Sequence, residues 1–296
     1  NSSSMKLLPQ QKFLRNYIST STPYNSVLIY HSTGVGKTCT AISIAEGFKS
    51  LIFNDNRRIL VIVNNNIINQ FKKEIYNPTK EDLKKTRFQH VQCTGLTYEL
   101  LEEEIYLSRE DKYKKIKSII NSNYDFHGYI KFVNYVKEIC NWNGKLSSLN
   151  DLIISNIKNI FSNRIIIIDE VHNIKSTDAS NNKTLPIIKL IAKYTTNTKL
   201  VLMSATPMYN SAVEIVDLIN LMLINDNLPE IKKSDIFKNK IITKKGEEIL
   251  NKVSVGFISY LRGEKPPMFP FRIYPQNVYQ HNPKYNWFGD KIDKDK

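Results

Sequence analysis

Four stretches of this chain are apolar at every position: Val27-Leu28-Ile29-Tyr30, Ile59-Leu60-Val61-Ile62-Val63, Ile165-Ile166-Ile167-Ile168 and Leu200-Val201-Leu202-Met203. Short runs of this kind, without polar alternation, predict strands buried on both faces, as in a parallel sheet covered on both sides. Between them, apolar residues return at helical spacing. Phe13, Leu14, Tyr17 and Ile18 make one such stripe, and Ala41, Ile42, Ile44 and Ala45 another. From Val213 to Leu223 the apolar positions run nearly all the way round, which predicts a well-buried helix with Ser211 as its cap. Strands alternating with helices predict an α/β fold, a parallel sheet flanked by helices.

The remaining stretches are less regular. Phe88 to Cys93 reads as a further strand, followed by Thr94-Gly95. Tyr98 to Ile120 is helical and highly charged, Tyr124 to Ile139 contains another strand, and Trp142 to Asn163 is helical in parts. Residues 97–163 are therefore expected to form an inserted helical segment between core strands. Beyond Asp226 come charged, weakly helical stretches. Pro266-Pro267-Met268-Phe269-Pro270 then forbids a helix. Residues 1–6 read as a flexible end or tag scar, 7–275 as one lobe, and 276–296 as a linker.

Composition narrows the partners. The chain has 296 residues, 41% of them hydrophobic, and carries 42 Lys and Arg against 28 Asp and Glu, a formal charge of +14. Such an excess favours a polyanionic partner, although the abundance of Lys, Asn and Ile also fits an AT-rich coding bias. Cys39, Cys93 and Cys140 show no CxxC spacing, so neither a disulfide framework nor a zinc site is expected, and a reducing compartment suits them. No apolar run is long enough for a bilayer and no signal peptide is visible, so no membrane partner is expected.

The candidate chemistry sits at the ends of three of the apolar runs. Val27–Tyr30 breaks into His31-Ser32-Thr33-Gly34-Val35-Gly36-Lys37-Thr38 and then into a helix. Strand, glycine loop and helix form the context of a phosphate-binding loop. Gly34 and Gly36 allow the tight turn, and the loop from Thr33 to Thr38 aims backbone N–H groups at phosphate. Lys37 is placed to reach β- and γ-phosphates, and the Thr38 hydroxyl to hold Mg2+. The usual pattern opens with Gly, where this chain has His31. After Ile165–Ile168 comes Asp169-Glu170-Val171-His172, where one carboxylate can orient hydrated Mg2+ and its neighbour can deprotonate the attacking water. Asp169 takes the first role and Glu170 the second, with His172 near enough to relay phosphate state. After Leu200–Met203 comes Ser204-Ala205-Thr206-Pro207.

Together, Thr33-Gly34-Val35-Gly36-Lys37-Thr38, Asp169-Glu170-Val171-His172 and Ser204-Ala205-Thr206 resemble motifs I, II and III of superfamily 2 helicases and translocases, which commonly relax the first glycine of motif I. Ser204 to Ser211 and Ser259-Tyr260-Leu261-Arg262-Gly263-Glu264 look like the ATPases of large nucleocytoplasmic DNA viruses, with the poxvirus early transcription factor small subunit as the nearest type. The resemblance implies a RecA-like P-loop NTPase lobe that binds ATP with Mg2+. It places Gln11 where the superfamily reads adenine, and assigns Ser204 and Thr206 a role coupling hydrolysis to nucleic-acid movement. Asn64, Asn65 and Asn66, with Thr94 and Gly95, fall where such enzymes touch a nucleic-acid backbone, most readily double-stranded DNA. Implied partners are a second RecA-like lobe carrying arginine fingers and a viral transcription-factor subunit or RNA polymerase, in the virion or host cytoplasm. An RNA or replicative helicase lobe, and a nucleotide-switched subunit without strand separation, stay open.

Overall fold

In the computed structural model, residues 7–48, 57–77, 93–94, 108–174, 184–208 and 210–262 are described. The expected apolar runs become β1 (Ser26–His31), β2 (Ile59–Ile62), β4 (Ile165–Ile168) and β5 (Lys199–Ser204). Two further strands join them, β3 (Tyr124–His127) and β8 (Ile258–Leu261), in a six-stranded sheet of order β3-β2-β4-β5-β1-β8. Every pairing in it is parallel.

The period-2 pleat sorts each uniformly apolar strand between two cores. Leu28, Leu60, Ile62, Ile166, Ile168, Leu200 and Leu202 face one core. Val27, Ile29, Ile59, Val61, Ile165, Ile167, Val201 and Met203 face the other. The second core is covered by α1 (Pro9–Tyr17), α2 (Lys37–Glu46), α3 (Ile68–Ile75) and α4 (Arg109–Asn123). The first is covered by α5 (Tyr129–Ile139), α6 (Asp151–Phe161), α7 (Thr184–Tyr194) and α8 (Glu214–Asn225). The result is the three-layer α/β architecture of a P-loop ATPase, its helices stopping and starting where local chemistry directs. Asn150, for example, accepts the Ile153 N–H at 2.9 Å to open α6.

Several local expectations change. The strand expected within Tyr124–Ile139 is present as β3, and only the remainder differs: past Gly128 it continues as α5, whose Phe132, Val133 and Val136 are buried at helical spacing. Residues 108–163 thus supply an edge strand of the main sheet as well as helices. Ser211 lies ahead of α8 and holds the Val213 N–H at 3.3 Å, rather than standing at the cap itself. The stretch after Asp226 folds into α9 (Lys233–Ile236), a small antiparallel hairpin of β6 (Phe237–Lys238) and β7 (Ile241–Ile242), and α10 (Lys244–Ser254).

The disulfide half of the cysteine expectation is overturned: Cys39 and Cys93 are disulfide-bonded, and Cys140 is free. They are 54 residues apart, so only the packing of Cys93 against α2 and α3 brings them together. The strand expected over 88–93 falls outside the described residues, except for Cys93. The charged helix expected from residue 98 is described only from Ser108 onward. Gly95 and the segment from residue 263 also lie outside them.

Candidate nucleotide site and its relay

Strands β4, β5 and β1 lie side by side, so their C-terminal ends deliver the three motifs to one crevice. Open parallel sheets bind ligands in such a crevice. A cavity of about 380 Å³ opens there, lined by loop residues Thr33, Gly34, Gly36, Lys37 and Thr38 and by Asp169 and Glu170. Residues of α3, Gln70 and Glu74 among them, form its opposite wall.

The glycines are set by geometry. Gly34 and Gly36 sit at φ +78° and +81°, in the left-handed region where a Cβ is strained. Gly36 also caps α2, and a Cβ there would lie 2.8 Å from the Gln11 side-chain nitrogen. Gln11 is buried behind the loop, accepting the Leu8 N–H at 2.9 Å and reaching the Gly36 carbonyl at 3.4 Å. Val35 is half-buried in the same loop and does not line the cavity.

Lys37 folds back to donate to the Ser32 carbonyl at 3.2 Å. Burial pulls its pKa down, and the Glu170 and Asp169 charges oppose that shift. Asp169 is 8% exposed, and burial, helped by the Glu170 charge, pushes its carboxyl up to about 6. A buried carboxylate beside a lysine and a left-handed glycine loop is the donor set that a metal-bound polyphosphate completes. The residues present therefore fit a nucleoside polyphosphate with a divalent cation, for which Thr38 and Asp169 would supply oxygen donors.

Glu170 has a left-handed backbone, at φ +47°. That left-handed conformation is uncommon for a side chain longer than Asn or Asp. Its carboxylate meets motif III: Ser204 Oγ lies 3.4 Å from Glu170 Oε2, and His172 Nδ1 lies 3.3 Å from the same oxygen. His172 Nδ1 is also 2.9 Å from Ser204 Oγ, which in turn accepts the Thr206 N–H at 3.0 Å. Ser204 is fully buried, whereas Glu170 keeps one side open to the cavity.

Two features had no signal in the sequence. The Tyr129 hydroxyl, at the start of α5, donates to the backbone carbonyl of Asp169 and also reaches that of Glu170 at 3.2 Å. His31, fully buried in place of the usual glycine, has its Nε2 2.9 Å from the Ser259 hydroxyl on β8. Burial, and secondarily the Lys37 charge, lowers the His31 pKa to about 4. Only the long-range pairing of β1 with β8 makes that second contact possible.

The expected nucleic-acid residues divide. Asn64, Asn65 and Asn66 are exposed at the end of β2, where Asn64 caps a short helical turn by accepting the Asn66 N–H at 3.2 Å. Thr94 is instead buried and donates its hydroxyl to the Ile75 carbonyl at 3.0 Å, which withdraws it from any surface contact.

Residues 4–209 match the family model described as "Type III restriction enzyme, res subunit". The chain is 31% identical over 89% of its length to "Putative ATP-dependent RNA helicase R563" of Acanthamoeba polyphaga mimivirus, covering 42% of that protein. It is 23% identical over 91% of its length to "Early transcription factor large subunit homolog" of African swine fever virus (isolate Tick/Malawi/Lil 20-1/1983), covering 29% of it. Among solved structures it is similar to "Sulfolobus solfataricus SWI2/SNF2 ATPase core in complex with dsDNA", at TM-score 0.47 and 16% identity, over 89% of this chain and 46% of that one. The chain thus spans less than half the length of these relatives. Family match, motif order and crevice agree, and the chain belongs to the ResIII family of helicase-type ATPase domains.

Proposed function

We propose that this chain is the ATP-binding lobe of a nucleic-acid-dependent superfamily 2 ATPase that remodels duplexes, serving viral early transcription. The observation that carries the reading is the chain of contacts from Glu170 through His172 to Ser204. It joins the residue placed to activate water to the strand end bearing Ser204-Ala205-Thr206, so a change at the γ-phosphate has a short path out of the site.

In this reading Lys37 leaves the Ser32 carbonyl for the β- and γ-phosphates as the loop wraps the triphosphate. Thr38 and Asp169 would hold Mg2+, which when bound would supply neutralisation of the triphosphate charge. Glu170 Oε2 is engaged by Ser204 and His172, which leaves Oε1 to take the proton of the attacking water. Charge developing in phosphoryl transfer calls for a cation, which a second RecA-like lobe supplies as an arginine finger. Asn64, Asn65 and Asn66 follow a nucleic-acid backbone, and the +14 charge strengthens that contact.

The transcription-factor relative supports a place beside an RNA polymerase or factor subunit, in the virion or host cytoplasm. A second reading, an RNA helicase lobe, is favoured by the name of the mimivirus relative. ATPase assays with saturating duplex DNA or duplex RNA, on this chain and on a form as long as its relatives, separate the two. Stimulation by DNA supports the proposal, and stimulation by RNA alone supports the second reading. Turnover indifferent to both nucleic acids overturns the coupling and leaves a nucleotide-switched subunit.

A further inference from the structure

The hairpin of β6 and β7 plays no part in the nucleotide site, yet its turn and its base are closely specified. Its two turn residues, Asn239 and Lys240, have φ of +52° and +63°. Left-handed conformations at both central positions give the tight turn whose twist matches a two-stranded ribbon. The base is locked as firmly. Thr243 donates its N–H to the Ile236 carbonyl at 3.0 Å, while its hydroxyl accepts the Gly246 N–H at 2.9 Å. A Cβ on Gly246 would come within 2.1 Å of the Ile236 carbonyl oxygen, so only glycine lets α10 start this close to α9.

What this ribbon presents is unusual. Phe237 pairs with Ile242, and that side packs towards the core through Phe237. Lys238 pairs with Ile241 on the opposite side, where Ile241 is 71% exposed. A β-branched apolar side chain held in water, next to Lys240 and paired across the ribbon with Lys238, has the chemistry of a contact surface. Residues 232–245 carry Lys232, Lys233, Lys238, Lys240, Lys244 and Lys245 against the single acid Asp235. Among the described residues, Lys233 alone of these is ion-paired, to Asp217 at 2.6 Å.

The ribbon's place in the fold follows from its neighbours. The chain leaves α8 at Asn225, beside Ser26 at the start of β1. It climbs past Asn220, which holds Ile231 at 2.8 Å, to Asp217 near the start of α8. That end of α8 follows Ser204-Ala205-Thr206. The hairpin thus stands towards the strand C-termini, the end that carries the nucleotide crevice.

We propose that this hairpin is a second nucleic-acid contact of the lobe, with Lys238 and Lys240 on neighbouring phosphates and Ile241 against the bases of an opened duplex end. The proposal rests on the nucleic-acid-dependent reading given above. A polyanion matches the lysines, and exposed base faces match the isoleucine, whereas neither feature alone needs the other.

The test is fluorescence anisotropy of this chain with a labelled blunt duplex and a forked duplex of the same sequence, across a salt series. Lys238→Ala with Lys240→Ala should weaken both complexes about tenfold at low salt and flatten the log–log salt slope by about two. Ile241→Ser should leave the slope unchanged and lower affinity for the fork about two- to tenfold relative to the blunt duplex. All three positions are on the surface, and an unchanged melting temperature verifies that the variants fold. If the wild-type chain binds and the variants match it, the hairpin proposal is overturned while the ATPase reading stands. If the wild-type chain binds neither duplex and nucleic acid leaves its ATPase unchanged, both are overturned. Loss of binding to phosphatidylserine vesicles, with duplex binding intact, would also overturn it in favour of a lipid surface.

Discussion

The hydroxyl of Tyr129 reaches the backbone carbonyl of Glu170 at 3.2 Å, tying the start of α5 to the residue placed to activate water. A Cβ on Gly128 would lie 2.3 Å from Asn65 Oδ1, so the asparagine turn packs directly against the residue preceding Tyr129. A path therefore runs from the exposed end of β2, through Gly128 and Tyr129, to the left-handed peptide of Glu170. Tyr129→Phe should keep the ring and lose the bond. A buried hydrogen bond contributes about 0.5–1.5 kcal/mol, so kcat should fall about 2- to 10-fold with KM for ATP unchanged. A raised KM at constant kcat would show that Tyr129 serves the loop rather than the base.

Lys37→Ala should abolish ATP binding, since no other described side chain brings a positive charge into the cavity. Glu170→Gln should bind ATP as the wild type does and lose turnover. Equilibrium binding of a fluorescent ATP analogue, set beside steady-state hydrolysis, separates the two. Wild-type turnover in Glu170→Gln would assign the base elsewhere.

Ser204→Ala removes one contact to Glu170 and one to His172 while adding no bulk to a fully buried position. Basal hydrolysis should drop by less than about tenfold, whereas stimulation by nucleic acid should largely disappear. The ratio of stimulated to basal rate, measured in one preparation, is the readout. A preserved ratio would make Ser204 a packing residue only.

Stability should also depend on pH through His31. Its folded pKa is about 4 against an ordinary 6.5, because burial disfavours the charged ring. Between those values the unfolded chain binds more protons than the folded one, so stability rises with pH across that window and is lost as pH falls through it. His31→Gln should flatten the window by about 1–3 kcal/mol, as read from urea midpoints at pH 4.5 and 7. An equal pH dependence in wild type and variant would exclude His31 as its source.

The strands β1, β2, β4 and β5 were legible because both of their faces are buried, which leaves an apolar run with no alternation. The three motifs were legible for a related reason, since each follows such a run. By contrast, β8 is a half-buried edge strand whose Tyr260 is 60% exposed, and its pattern is too mixed to stand out. The Tyr129 and His31 contacts depend on tertiary pairing alone, His31 and Ser259 being 228 positions apart. Thr94, expected near a nucleic-acid backbone from the resemblance alone, is buried through its bond to the Ile75 carbonyl, a contact that no local pattern announces. The hairpin escaped notice because two-residue strands carry too few positions to show a period.

The sheet order carries a consequence for how this molecule comes into being. β1 is made early, yet both of its neighbours, β5 and β8, end at Ser204 and Leu261. At roughly 5–20 residues per second, β1 waits on the order of ten seconds or more after synthesis before its second edge is covered. Parallel pairing over such separations closes slowly. The nascent chain thus carries an unpaired Val27-Leu28-Ile29-Tyr30 edge until residues 199–261 have been made, which makes it a natural client for chaperones and the segment from which misassembly would start.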